Sequence, residues 1–426
     1  MSAYQTGFDV GLPSDARGSK SGGGCFRKSV TFTAVLATLF SALALSLVVY
    51  VGFYSEDDAA SQPVVIRVGQ ATPLAGYASA RSFFEGTGSW AAKEDLPAPT
   101  SDFVAVTVGE KIYLIGGLDD TEAITTVVRE YDPVIDEYNS SKAALPIGRT
   151  RYGAAAVGTK IYVVGGLDED EHYDDDGVPH TTYIYDTVND SGGWAVGPEL
   201  ITGRSDHCVF AVGTKVYAVG GYTDSYATLD SVEVLDTSAS SPTWAAAPSL
   251  PEARGDVTCA AGGGKGYAIG GYYDPSGTWT PDRFMEHVFE LDVAGGAAAW
   301  TNKTSMPVAV GDKAATALPD GSIVVVGGET HRNNASATMT ATHTSLQYFP
   351  AHDTWVKKAP LPTARFRFAA ATDADGYVHA FGGHTHCEVI SYDPYTTNCA
   401  SQALKSHEVL FDVVHPDLWI HSTEAL

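Results

Sequence analysis

YLIGG, residues 113–117, is an apolar run that stops at a pair of glycines. The same event recurs as YVVGG at 162–166, YAVGG at 217–221, YAIGG at 267–271, VVVGG at 324–328 and HAFGG at 379–383. The pairs Gly116-Gly117, Gly165-Gly166, Gly220-Gly221, Gly270-Gly271, Gly327-Gly328 and Gly382-Gly383 follow one another at spacings of 49, 55, 50, 57 and 55 residues. A unit of that size is too small to bury both its faces, so it must pack against copies of itself. A period near 50 predicts blades arrayed around an axis, a solution that leaves only short, protected sheet edges.

Other features keep phase with the glycines. Trp90, Trp194, Trp244, Trp300 and Trp355 stand 26 or 27 residues before the next pair, and Tyr138 holds that place before Gly165. Between each pair and the aromatic, an apolar strand ends in Tyr131-Asp132, Tyr185-Asp186, Leu235-Asp236, Leu291-Asp292, Phe349-Pro350 or Tyr392-Asp393. Pattern and order together resemble the kelch repeat: strand a, strand b ending in Gly-Gly, strand c ending in Tyr-Asp, and strand d carrying Trp. The resemblance covers about residues 86–405 and implies an all-β, six-bladed propeller. The glycines permit positive φ and close backbone approach, and the aromatics fill the space between blades, so these residues are structural first.

Trp90 has no strand a, b or c before it. The strand around Ser89 to Ala92 is therefore expected to complete the last blade, whose other strands are read from Phe366 to Asp393. The competing reading gives that place to Thr397–Gln402 and leaves Trp90 without a role. Residues 406–426 read as a C-terminal tail, in which Val409–Val414 is one more strand or a plug.

Ahead of the propeller, residues 30–54 contain no charged side chain, with Arg17, Lys20, Arg27 and Lys28 before them and Glu56, Asp57 and Asp58 after. As a helix this stretch is about 37 Å long, enough to span a bilayer. The charge asymmetry orients it as a signal anchor: tail 1–29 cytoplasmic, stem 55–85 and propeller lumenal or extracellular. A cleaved signal peptide ending at the small residues Ser41 to Ala44 is the alternative. Of six asparagines, four (Asn139, Asn189, Asn302 and Asn334) begin N-x-Ser/Thr glycosylation sequences, an excess that supports translocation. Neither Cys208 with Cys259 nor Cys387 with Cys399 reads as a convincing disulfide. The first pair is one residue out of phase, which predicts opposite faces, and the second is out of register in a hairpin.

The formal charge of −25 excludes a nucleic-acid binder that relies on neutralising phosphates. In a propeller of this kind the d-to-a and b-to-c loops open around one mouth of the central channel. Arg149, Arg204, Arg254 and Arg365 recur just before strand a, with Arg151, Asp206, Asp256 and Arg367 respectively two residues later. Two readings of these residues compete: a guanidinium ring that binds a planar anion, or arginines spent on backbone carbonyls and acidic residues. The acidic run from Asp168 to Asp176 reads as a solvated face, and the histidines near the glycine pairs do not complete a metal set, so no metal or cofactor is expected. The functional expectation is a membrane-anchored propeller that binds a protein or glycan, with no catalytic residue assigned. The first alternative is a secretory enzyme resembling the six-bladed kelch sialic acid mutarotases, with Glu252 and Glu329 as acid–base candidates. The second is a cytoplasmic kelch adaptor.

Overall fold

The computed structural model describes residues 34–41, 44–51, 65–66, 88–168, 178–273, 284–296, 298–330, 338–392, 395–398 and 403–411. The chain divides into two units, Met1–Ser82 and Phe83–Leu426. In the first, Ala34–Ser41 pairs antiparallel with Ala44–Val51, and Val65–Ile66 adds to the edge. These strands occupy the stretch read as a membrane helix, and no helix among the described residues is long and apolar enough to cross a membrane. An apolar run without polar phase, rich in Val, Leu and Thr, is compatible with strand as well as helix.

The second unit holds six four-stranded antiparallel blades. Blade 1 is Val104–Val108, Lys111–Ile115, Val128–Asp132 and Glu137–Asn139. Blade 2 is Gly153–Val157, Lys160–Val164, Thr182–Asp186 and Trp194–Val196. Blade 3 is Cys208–Val212, Lys215–Val219, Val232–Asp236 and Trp244–Ala247. Blade 4 is Thr258–Gly262, Lys265–Ile269, Val288–Asp292 and Thr301–Lys303, and blade 5 is Ala314–Ala317, Ile323–Val326, Ser345–Phe349 and Thr354–Lys357. Strand b is the most buried strand of each blade because apolar side chains leave both its faces for neighbouring blades: Ile112, Ile161, Val216, Tyr267 and Ile323 are completely buried.

Blade 6 closes the ring with strands from both ends of the propeller. Ala369–Thr372 pairs with Val378–Phe381, which pairs with His407–Phe411, which in turn pairs with Ser89–Ala92. Trp90 lies opposite Leu410, as Trp194 lies opposite Tyr185 and Trp355 opposite Tyr348, so it is the strand-d aromatic of the last blade. Strand c, however, is His407–Phe411 and not the run ending at Tyr392-Asp393, so the expected tail supplies it. His386–Tyr392 instead joins Tyr395–Asn398, Thr338–Ala341 and Glu329–Thr330 in an extra sheet built from the b-to-c insertions of blades 5 and 6. A Tyr-Asp pair at ordinary distance from Gly383 imitates the end of strand c, which the insertion has displaced.

The indole N–H groups tie each blade to the one before it. Trp194 donates to Ala143 O at 2.9 Å, Trp300 to Pro248 O at 2.8 Å, Trp355 to Thr304 O at 2.8 Å and Trp90 to Ala359 O at 2.8 Å. Trp244 reaches Thr182 Oγ1 at 3.1 Å. Tyr138, the substitute in blade 1, makes the same link with its hydroxyl, 3.0 Å from His407 Nδ1 of blade 6.

Cys208 and Cys259 form a disulfide, with Cα atoms 5.4 Å apart, and Cys387 is disulfide-bonded too. The expectation that a one-residue phase shift separates Cys208 from Cys259 fails for a geometric reason. The two strands a belong to different sheets whose opposite faces look at each other, so residues of opposite phase are the ones that meet.

Candidate binding site at the axial mouth

The turn that leads into strand a is the same in every blade. Its central residue (Asp102, Arg151, Asp206, Asp256, Asp312 and Arg367 in blades 1 to 6) has φ between 43° and 52°. This left-handed conformation is uncommon for a residue with a Cβ and costs on the order of 1 kcal/mol or more. Backbone bonds run from turn to turn: Asp102 N–H donates to Arg367 O at 2.9 Å, Asp206 to Arg151 O at 2.8 Å and Arg367 to Asp312 O at 3.0 Å. The six side chains therefore converge on the axis, where they line a cavity of ≈ 120 Å³.

Just behind this ring stand Phe103, Tyr152, His207, Val257, Lys313 and Phe368, each packed against the first glycine of the preceding blade's pair. The second glycine is forced by space: a Cβ on Gly117 would meet Ser101 O at 2.4 Å, and its φ is 90°.

Arg149, Arg204, Arg254 and Arg365 are at most 2% exposed and do not line the cavity. Three of them clamp two blades together. The carbonyl of Arg204 accepts from Gly166 N–H of blade 2 while Nη1 donates to Gly220 O of blade 3 at 2.8 Å. Arg254 does the same between Gly221 and Gly270, and Arg365 between Gly328 and Gly382. Glu233 closes the Arg204 guanidinium at 2.7 Å and Glu408 that of Arg365 at 2.9 Å. Arg149 donates to Asp168 at 2.9 Å, and Arg254 lies 4.4 Å over the Phe289 ring. In blades 1 and 5 the clamp position is Thr100 and Val310. Of the residues singled out from the sequence, Arg151, Asp206, Asp256 and Arg367 reach the axis.

The mouth carries four carboxyl groups against two guanidiniums, unevenly paired. Arg367 bonds Asp312 at 2.9 Å and stands 3.8 Å from Asp102, and Arg151 is 3.6 Å from Asp206. Burial raises the Asp102 carboxyl, but Arg367, His384 and Arg151 outweigh it and hold it at about 2. On the other side, burial and the nearby Asp312 push Asp206 up to about 6 against the pull of Arg151. Asp256 is raised further, by burial and by the charges of Asp312 and Asp206. The Tyr222 hydroxyl donates to Asp256 Oδ2 at 3.1 Å.

Glu329 is buried, and Glu252 is partly exposed and engaged by Arg254 at 3.1 Å and His287 at 2.8 Å. No group of three or more His, Cys, Asp or Glu among the described residues is arranged to hold a metal ion. Asp102, Asp312 and Lys313 were not singled out from the sequence. The signal of the two aspartates is positional, a charged residue two places after the clamp in all six repeats, and it is hidden in blades 1 and 5 because the clamp arginine is missing there.

Six phased blades, closed by a strand from before the first repeat and built around one charged mouth, define a six-bladed β-propeller. The family model for the Kelch motif matches residues 99–140, 148–191 and 203–251, which fall on blades 1 to 3. Blades 4 to 6 carry the same glycine pairs and strand-d tryptophans, and the chain is a kelch-repeat β-propeller protein. A solved structure titled "Structure of YjhT" is similar in fold at 16% identity and a TM-score of 0.57, over 72% of this chain and 99% of that one. Because 613 solved chains match, the fold by itself assigns no ligand. No curated protein matches the chain.

Proposed function

We propose that this propeller is a protein-binding module that receives a basic group of its partner at the axial mouth. The observation that carries the reading is the charge imbalance there, four carboxyls against two guanidiniums: burial first and then the neighbouring carboxyls raise the Asp256 pKa, and a cation from outside would relieve that repulsion. Kelch propellers are in general protein-binding modules, which supports the class of partner. The chain's charge of −25 favours a basic partner through long-range steering.

We place this activity in an oxidising compartment, with the chain attached to the membrane through residues 30–54. The disulfide between blades 3 and 4 supports that compartment. So do Asn139, Asn189 and Asn302, all exposed on the outer rim; Asn334 lies outside the described residues. A second reading, an enzyme acting on a sugar, draws support from the Asp206 carboxyl, which titrates near neutrality at about 6.

The test is binding of the full-length protein to arrays of Lys/Arg-rich and Asp/Glu-rich peptides at low and high salt. Retention of the basic set alone, weakened by salt and by Asp256→Asn, supports the reading. Equal retention of both sets, or indifference to Asp256→Asn, rejects it.

A further inference from the structure

Lys313 breaks the pattern of the residues behind the mouth. Four of the other blades place Phe, Tyr or Val in that position and the fifth a histidine. In blade 5 a primary amine occupies it, 5% exposed at the residue level, and its Nζ has no hydrogen-bond partner. The side chain lines the axial cavity, and a Cβ at Gly270 would stand 2.6 Å from Nζ, so the amine sits tight against the preceding blade. An amine kept without solvent or a hydrogen-bond partner costs stability. The groups around it are those that activate an amine: burial comes first, Arg254 adds repulsion, and the carboxyls of Asp312 and Asp256 oppose it. The outcome is an amine that titrates at about 7, against 10.5 for an ordinary lysine.

We propose that Lys313 is a carbonyl-reactive amine, and that the axial cavity takes a small aldehyde or ketone as its imine. In the first step the Nζ lone pair forms a bond to the carbonyl carbon. The displaced π pair of the C=O takes a proton at oxygen, and nitrogen loses one. The partly buried Asp256 carboxyl, whose pKa is raised first by burial and then by its like-charged neighbours, is the local proton source. The hydroxyl then takes a second proton, water leaves with the C–O bond pair as the nitrogen lone pair forms the C=N bond, and nitrogen returns its remaining proton; hydrolysis reverses both steps, so no oxidant or reductant is consumed. A cavity of ≈ 120 Å³ limits the carbonyl compound to a few carbon atoms. The inference does not depend on the protein-binding reading, since a peptide array does not report on imine formation.

The experiment treats the full-length protein with glycolaldehyde and sodium cyanoborohydride between pH 6 and 10, which reduces any imine to a stable amine adduct. Peptide mass mapping then compares Lys313 with the twelve other lysines of the chain. At pH 7 an amine with a pKa near 7 is about half neutral, against roughly one part in three thousand for an ordinary lysine. Adduct formation at Lys313 is expected to exceed that at each exposed lysine by tenfold or more at pH 7, with an inflection close to 7. The preference is expected to vanish when the chain is first unfolded in urea, and to diminish in Asp256→Asn. Absence of label at Lys313, labelling equal to that of exposed lysines, or an inflection near 10 overturns the proposal. Since the reading is made on the wild-type chain, it does not rest on any variant's folding.

Discussion

Arg204 shows what the clamp arginines contribute, because its guanidinium is wholly buried and bonded to two carbonyls, a serine hydroxyl and Glu233. Removing one partner of such a pair leaves the other charge uncompensated in a dry place. Arg204→Ala is expected to lower the unfolding free energy by about 3–5 kcal/mol, read from the urea midpoint. Arg204→Lys recovers little, since a point charge cannot replace the fork. A ligand-binding arginine would instead lose affinity with stability intact. Lys313 carries the opposite sign. Its folded pKa of about 7 lies below the ordinary 10.5, so between those values the unfolded chain binds the proton and the folded chain does not. Stability therefore falls as pH drops from about 10.5 towards 7, by on the order of 4 kcal/mol in all. Lys313→Met is expected to raise stability at pH 7.4 by a few kcal/mol and to flatten the rise between pH 7 and 10. Unchanged slope in paired denaturation curves would show that the amine is not buried in its neutral form.

Among the elements, blade 6 is the one on which the ring depends, because its strands c and d come from opposite ends of the propeller. A buried chain of bonds crosses that closure: Asp373 Oδ2 to His379 Nε2 at 2.9 Å, His379 Nδ1 to His407 Nε2 at 2.8 Å, and His407 Nδ1 to the Tyr138 hydroxyl at 3.0 Å. Burial first, then the neighbouring His379, lowers the His407 pKa from 6.5 to about 2. A histidine depressed in this way is neutral when folded and protonated when unfolded, so its contribution is intact above pH 6.5 and is lost as pH falls below it, by about 1.4 kcal/mol per unit. His407→Gln is expected to melt lower at pH 7.4 but to lose less on going to pH 5 than the wild type. An identical loss in both would assign the acid sensitivity elsewhere, His207 being another imidazole whose pKa burial lowers. The closure was legible in the sequence because Trp90 is an aromatic in phase with no blade of its own. Strand c of the same blade was not, because Tyr392-Asp393 satisfies the local pattern while the true strand lies beyond an insertion that only tertiary pairing reveals. The mouth was half legible for a similar reason. Recurrence marked Arg204 and Asp206 alike, but which of two residues in a turn looks inward depends on the left-handed φ at the second, a property that composition does not display.

At the scale of the whole molecule, the proposed placement of the propeller in an oxidising compartment can be tested through its covalent chemistry. A propeller that carries an inter-blade disulfide, three exposed acceptor asparagines and a net excess of acidic residues suits an oxidising compartment better than a reducing one. On that proposal the apolar stretch 30–54 would act as a retained anchor or a cleaved leader, either of which leaves the propeller on the same side. The expected outcome, for the full chain tagged at both ends and expressed in cells with sealed secretory membranes, is a mobility shift on glycosidase treatment. The C-terminal tag should be protected from added protease, and the N-terminal tag should remain on the same polypeptide. Asn139→Gln, Asn189→Gln and Asn302→Gln should each remove part of the shift, and any remainder falls to Asn334. Loss of the N-terminal tag with the shift preserved replaces the anchor by a cleaved leader and frees the propeller from the membrane. Digestion of the C-terminal tag without any shift puts the propeller in the cytoplasm, where reducing conditions would open the Cys208–Cys259 bridge and the basic partner would have to be sought among cytoplasmic proteins.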